Sequence, residues 1–117
     1  MYKYDLEERV NKFSENLVEF CRKVSVEDTF KSAISQLFRS GTSIGANYME
    51  ANGASSKRDF RNKIYLCKKE ALETKYWLRI IAKIQPQLKN EVLIHWRETQ
   101  ELTLIFSKII SSLQDKI

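Results

Sequence analysis

Apolar residues recur along this chain in alternating steps of four and three, the spacing of helices that each bury one face. The first run is Leu6, Val10, Phe13, Leu17, Phe20 and Val24, and the second is Phe30, Ile34, Leu37, Gly41, Ile44 and Tyr48. A third run follows through Phe60, Ile64, Cys67, Ala71, Thr74, Leu78 and Ile81, and a fourth through Val92, His95, Thr99, Leu102, Phe106, Ile109 and Leu113. These seams predict helices over residues 5–25, 29–52, 57–84 and 88–115 of the sequence. Terminus signals agree with them. Asp28 or Thr29 offers an N-cap for the second helix, Gly53 a stop, and Ser56-Lys-Arg-Asp59 a capping box for the third, which Pro86 closes.

Connections of a few residues favour antiparallel neighbours, so the segments predict an all-α, up-down-up-down antiparallel four-helix bundle spanning residues 1–117 as one domain. At about 1.5 Å per residue the helices would each be roughly 30 to 42 Å long, which makes a slender rod. Val18, Leu66, Leu72, Trp77, Ile80, Leu93, Trp96, Leu104, Ile105 and Ile110 fall outside the seams. Some widen the core stripe, but so many large apolar side chains imply a second buried surface, and self-association is the expected cause.

Composition narrows the class. One proline and three glycines are too few breakers for a chain of short strands and turns. No apolar run approaches the ~18 residues of a membrane span, and the start, Met1-Tyr-Lys-Tyr-Asp-Leu-Glu-Glu, lacks the apolar stretch of a signal peptide. A soluble, cytoplasmic protein is expected. Cys21 and Cys67 both occupy seam positions, where reduced core cysteines are a better reading than a disulfide or metal pair.

The net charge of +5 is not spread along the chain. Residues 1–27 sum to −1, and residues 28–54 and 87–117 each cancel, so residues 55–86, at +6, carry the excess. At 100° per residue every base of the third helix except Lys63 falls within an arc of roughly 120°. Lys57, Arg58, Arg61, Lys68, Lys69, Lys75, Arg79 and Lys83 thus form one stripe, with Tyr65 and Tyr76 inside it. Cations interleaved with flat rings suit phosphates and unstacked bases. The bland alternative is a solvated helix face, although such faces usually mix signs and this one is nearly pure.

The second helix is unusual in another way. Arg39-Ser-Gly-Thr-Ser-Ile-Gly-Ala-Asn47-Tyr-Met-Glu50 keeps helical spacing yet carries two glycines that each cost roughly 1 kcal/mol against alanine. Gly41 and Gly45 are expected to admit a close neighbouring helix. Arg39, Asn47, Glu50 and Glu73 read as a polar network buried between the second and third helices, with Ser40, Thr42 and Ser43 fitting the same structural role. A catalytic reading of the same group needs a cleft and a proton shuttle, which the sequence does not supply.

Other chemistry has less to stand on. A carboxylate-bridged metal centre in a bundle needs Glu-x-x-His on two helices, whereas the one histidine, His95, has Glu91 four residues before it. His95 reads as a half-buried core neighbour of Trp96. Phosphate-loop, nucleophile-elbow and zinc spacings are missing from the sequence, so no metal, no cofactor and no enzymatic activity are expected.

The run Arg39-Ser-x-x-Ser-Ile-x-x-Asn47-x-x-Glu50, followed by Phe60, Ala71, Glu73 and Tyr76-Trp77-Leu78, resembles the bacterial 23S ribosomal RNA intervening-sequence proteins, also called S23 ribosomal proteins. That resemblance covers nearly the whole chain and implies a four-helix bundle. The family is similar to the accessory variability protein of diversity-generating retroelements, a homopentameric, basic barrel that binds nucleic acid and a reverse transcriptase, which implies a pentamer here. This chain departs from the common pattern in having Ala51 after Glu50 and Ala71-Leu72 in place of a Gly-Ser pair. Stripe and resemblance together lead to the expectation of a non-enzymatic, homo-oligomeric bundle that binds RNA or DNA through its third helix. The alternative is an interaction scaffold presenting that stripe to an acidic protein partner.

Overall fold

A computed structural model describes residues 3–114, and the predicted end of the fourth helix at residue 115 lies outside them. The described residues form α1 (Lys3–Lys23), α2 (Lys31–Asn52), α3 (Lys57–Ile84) and α4 (Lys89–Gln114), with single 3-10 turns at Asp28–Phe30 and Pro86–Leu88 and no strand among them. The chain is all-α. No helix among the described residues is long and apolar enough to cross a membrane.

Local chemistry explains most boundaries. Ser56 caps α3, its Oγ accepting the Asp59 N–H at 3.0 Å, while Asp59 Oδ2 accepts the Ser55 N–H at 3.2 Å. Pro86 follows Ile84 by two residues, and the Gln85 N–H closes the last turn of α3 on Ile81 O at 2.8 Å. Two expectations need correction. Neither Asp28 nor Thr29 caps α2: a 3-10 turn leads into that helix, Phe30 occupies the cap position without a side-chain bond, and Asp28 instead pairs with Lys31 at 2.8 Å. Gly53 ends α2 without a left-handed conformation, at φ −97° and ψ 11°, so its freedom to adopt positive φ is not used there.

One core runs the length of the bundle, with α2 packed on α3, α3 on α4, and α1 on α2 and α4. Val10, Leu17 and Phe20 of α1, Leu37 and Ile44 of α2, Ile64, Leu78 and Ile81 of α3, and Leu102 and Phe106 of α4 are almost wholly excluded from solvent. Each such side chain contributes about 1.5 to 3 kcal/mol by leaving water. Principal extents of 48 × 22 × 20 Å bear out the slender rod.

The two glycines of α2 mark where α1 comes close. A Cβ built on Gly41 would overlap Leu17 Cδ2 and lie 3.3 Å from Leu17 Cγ, and one on Gly45 would lie 2.9 Å from Ser14 Oγ and 3.5 Å from Val10 Cγ1. Both thiols are free, Cys67 buried and Cys21 half-buried, and burial pushes the first up to about 12 and the second up to about 11. These are core side chains and not reactive thiolates at neutral pH. His95 is half-buried as expected, and its ring meets Phe20, centroids 4.9 Å apart. Burial holds the imidazole pKa below its ordinary value.

Candidate nucleic-acid interface

The outer face of α3 is built by subtraction. Once Phe60, Ile64, Cys67, Ala71, Thr74, Leu78 and Ile81 turn inward, helical periodicity leaves the bases of the stripe on the opposite side. Lys57, Arg58, Lys69, Arg79 and Lys83 are exposed, whereas Arg61, Lys68 and Lys75 are half-buried at its border. Tyr76 is 56% exposed and Tyr65 41%. The structure thus brings all ten residues of the expected stripe onto one helix face.

Pairing separates these bases from Lys63 and from several bases on the other helices. Among the described residues the one base of α3 in an ion pair is Lys63, whose Nζ lies 2.7 Å from Glu50 Oε1, and Lys63 is the base that periodicity placed outside the stripe. Elsewhere Arg9 meets Glu98 and Glu101, Lys23 meets Glu91, and Arg39 meets Glu70 and Glu73. The stripe therefore holds cations whose charge no neighbouring carboxylate within 4 Å neutralises among the described residues. Lys75 has an uncharged partner, donating to Gln100 Oε1, and its ammonium lies 5.0 Å above the Trp96 ring. Arg61 keeps its Nε buried without a hydrogen-bond partner.

The expected polar network is only half formed. Arg39 does reach Glu73, and it also donates to Glu70 Oε1 at 3.3 Å and Gln36 Oε1 at 3.1 Å. This cluster is not buried, however, since the Arg39 side chain is 45% exposed. Asn47 joins none of these partners and donates instead to Ser43 O of its own helix at 2.8 Å, while Glu50 is taken by Lys63. The buried polar contacts between α2 and α3 are different ones, Thr74 Oγ1 with Ser40 Oγ at 3.0 Å and the Cys67 thiol with Ile44 O at 3.6 Å. Thr74 already stood on the seam of the third helix, so a polar seam residue facing an interrupted α2 was the available signal.

Electrostatics around Arg39 follow from the contacts. Hydrogen bonds from Arg39 and from Trp77 Nε1, the latter 3.0 Å from Glu73 Oε2, hold the Glu73 carboxyl below its ordinary pKa, and the same carboxylate raises the guanidinium. Such fixed ionisation suits a brace better than proton transfer. No group of three or more histidines, cysteines and carboxylates among the described residues is arranged to hold a metal.

Apart from the half-buried Val18, the off-seam apolar residues divide in two. Trp77, Ile80, Trp96 and Ile105 pack against the core and Ile110 is part of it, so the tryptophans, which sequence reasoning assigned to a second surface, widen the core stripe. Leu66, Leu72, Leu93 and Leu104 do stay exposed, and Phe38, Met49 and Ile94 join them.

Comparisons with known proteins follow this geometry. A comparison with curated proteins gives no match. Among solved structures, the chain is similar to a protein of unknown function from the S23 ribosomal protein family of Bacteroides thetaiotaomicron, at 29% identity and a TM-score of 0.84, over 95% of this chain and 99% of that one. The profile described as "23S rRNA-intervening sequence protein" matches residues 3–108. A match over that span, on a chain that folds as the same four helices, shows that it belongs to the 23S rRNA-intervening sequence protein family.

Proposed function

We propose that the chain is a non-enzymatic, homo-oligomeric bundle of the bacterial cytoplasm that binds RNA or DNA through the outer face of α3. The single observation that carries this reading is the gathering of bases without ion pairs on one face of α3. Glu50, Glu73, Glu91 and Glu98 each have a cation within salt-bridge reach, while Lys57, Arg58, Lys68, Lys69, Arg79 and Lys83, gathered on one face of α3, have no ion pair among the described residues. A row of like charges without counter-charge raises the local potential and favours a polyanion.

An up-down-up-down order of the helices is part of the proposal, and contacts among α1, α2 and α3 support it. Gly45 faces Val10 and Ser14 whereas Gly41 faces Leu17, and Glu50 meets Lys63 whereas Arg39 meets Glu73, so numbering that rises along one helix falls along its neighbour. Self-association into a pentamer draws support from the resemblance to pentameric barrels and from the exposed Leu66, Leu72, Leu93 and Leu104. A ring of copies would repeat the stripe and add its fields. The second reading, an acidic protein partner, is favoured by Leu66 and Leu72 on α3, since exposed apolar groups among cations also suit an acidic amphipathic surface.

Sedimentation velocity tests both halves of the proposal. The protein alone is expected to sediment as a multiple of the 13.8 kDa chain mass. A labelled single-stranded oligonucleotide is expected to co-sediment at low salt and to be released as salt rises, because binding displaces condensed counterions. A monomer at low micromolar concentration overturns the assembly. An oligonucleotide that stays free at every salt concentration overturns the binding.

A further inference from the structure

Tyr76 stands apart from the other side chains of the stripe. It is more exposed than any other tyrosine or tryptophan whose burial is resolved, yet its ring is not free to wander. It meets the Trp77 ring edge-to-face, with centroids 4.9 Å apart and planes at 77°. Trp77 in turn packs against the core and donates its Nε1–H to Glu73 Oε2 at 3.0 Å. Glu73 is held by Arg39, which is itself tied to Glu70 and Gln36. A chain of contacts thus runs from Arg39 of α2 to one side of the Tyr76 ring and leaves more than half of that residue open to solvent.

Helix geometry places cations on both sides of this ring. Lys69 and Lys83 are one heptad before and after Tyr76, about 10 Å away along the axis, and Arg79 follows it by one turn on the same face. A polyanionic strand laid along α3 meets a base before the ring, the ring, and a base after it. In a duplex the nucleobases are stacked on each other and paired, so a duplex could use the cations but would leave the ring idle. An unpaired strand can use both, since a base that turns toward the helix finds a flat apolar partner between two phosphate contacts.

We infer that Tyr76, held by Trp77 and flanked by Lys69, Arg79 and Lys83, is a base-stacking platform, and that the ligand of the α3 face is single-stranded nucleic acid. The inference rests on the proposed binding function and narrows it. The Arg39–Glu73 contact gains a role as well: it is the outer brace of the platform, which connects the polar segment of α2 to the binding face of α3.

The test compares three fluorescein-labelled probes of equal length: an oligothymidylate, an abasic strand with the same phosphates, and a blunt duplex. Binding to the wild-type oligomer is read by anisotropy at fixed salt and again over a salt series. The oligothymidylate is expected to bind about tenfold more tightly than the abasic strand, the size of a lost base–ring stack. Tyr76→Ala should abolish that difference while leaving duplex affinity and the salt dependence unchanged, because the phosphate contacts remain. Tyr76→Phe keeps the ring and should restore the preference. Equal affinity of the wild type for thymidylate and abasic strands, or a preference for duplex, overturns the platform while leaving nucleic-acid binding intact. Failure to bind any probe overturns the binding function and the platform with it. Unchanged mass of Tyr76→Ala by sedimentation is expected, and loss of the oligomer in that variant, with Tyr76→Phe behaving as wild type toward all probes except for the stacking preference, also counts against the platform.

Discussion

A variant carrying Lys68→Glu, Lys75→Glu and Arg79→Glu is expected to lose nucleic-acid binding by on the order of a hundredfold or more near physiological salt while remaining helical. The size follows from counterion release. Each phosphate neutralised on a single strand contributes about 0.7 to the slope of log affinity against log salt, so three lost contacts should flatten that slope by about two. Reversal adds repulsion that simple neutralisation would not. The fold should survive, because Lys68 and Arg79 make no ion pair among the described residues. Lys75 carries the main structural cost, as its ammonium lies over Trp96 and bonds Gln100, a cation–π contact of about 0.5 to 1 kcal/mol. A matched control is the exchange Glu50→Lys with Lys63→Glu, which preserves the ion pair made by the one paired base of α3 among the described residues and should leave both affinity and slope unchanged. Filter retention or anisotropy over a salt series reads the outcome. Unchanged affinity in the triple variant would remove α3 as the binding face.

The second large effect is on stability. Gly41→Val is expected to lower the unfolding free energy by several kcal/mol, a large fraction of the roughly 5 to 15 kcal/mol that holds a domain of this kind together. The added Cβ would fall on Leu17 Cδ2 and near Leu17 Cγ, and Leu17 is wholly buried with neighbours on every side. Overpacking of this kind costs about 1 to 3 kcal/mol even for one extra methyl group, and valine adds two more. Alanine at the same position should be milder, since its helix propensity returns roughly 1 kcal/mol. Gly45→Ala makes the contrast: its Cβ would lie 2.9 Å from the Ser14 hydroxyl, a small group that can rotate aside. That variant should be neutral or more stable by up to ~1 kcal/mol. Urea titrations of Gly41→Val, Gly41→Ala and Gly45→Ala should therefore rank the three in that order of increasing stability. Equal stability of the three would remove the close approach of α1 as the reason for the glycines.

Much of this was legible in the residues, and the reasons differ by element. The seams placed all four helices because the core they build excludes solvent at those positions, and Ser56 with Asp59 marked the start of α3 because a cap satisfies backbone donors locally. The start of α2 was not legible in the same way. Asp28 and Thr29 both look like caps, but their side chains are bypassed by a 3-10 turn in which the Phe30 N–H bonds Glu27 O at 2.9 Å. The stripe was visible because one helix carries it and the angular period alone decides its faces. The polar network was not, because its members had competitors within reach. Asn47 found the Ser43 carbonyl one turn earlier on its own helix, and Glu50 found Lys63 across the interface. Ser40 and Thr74, small and easily overlooked, became the buried pair. The tryptophans misled for a geometric reason: a seam drawn as one residue per turn is narrower than the face a bundle helix actually buries, so Trp77 and Trp96 were counted as surplus when they flank the core.

The segment from Arg39 to Glu50 combines these roles without being a site itself. Its glycines let α1 approach, its Ser40 locks onto Thr74, and its arginine braces Glu73 and through it Trp77. The proposed binding face lies on the next helix. Ultraviolet crosslinking of the protein to a single-stranded oligonucleotide, followed by mass spectrometry of the attached peptides, tests that assignment most directly. Adducts are predicted within residues 57–83, with Tyr76 among the modified residues. Adducts confined to α1, α2 or α4 would contradict it.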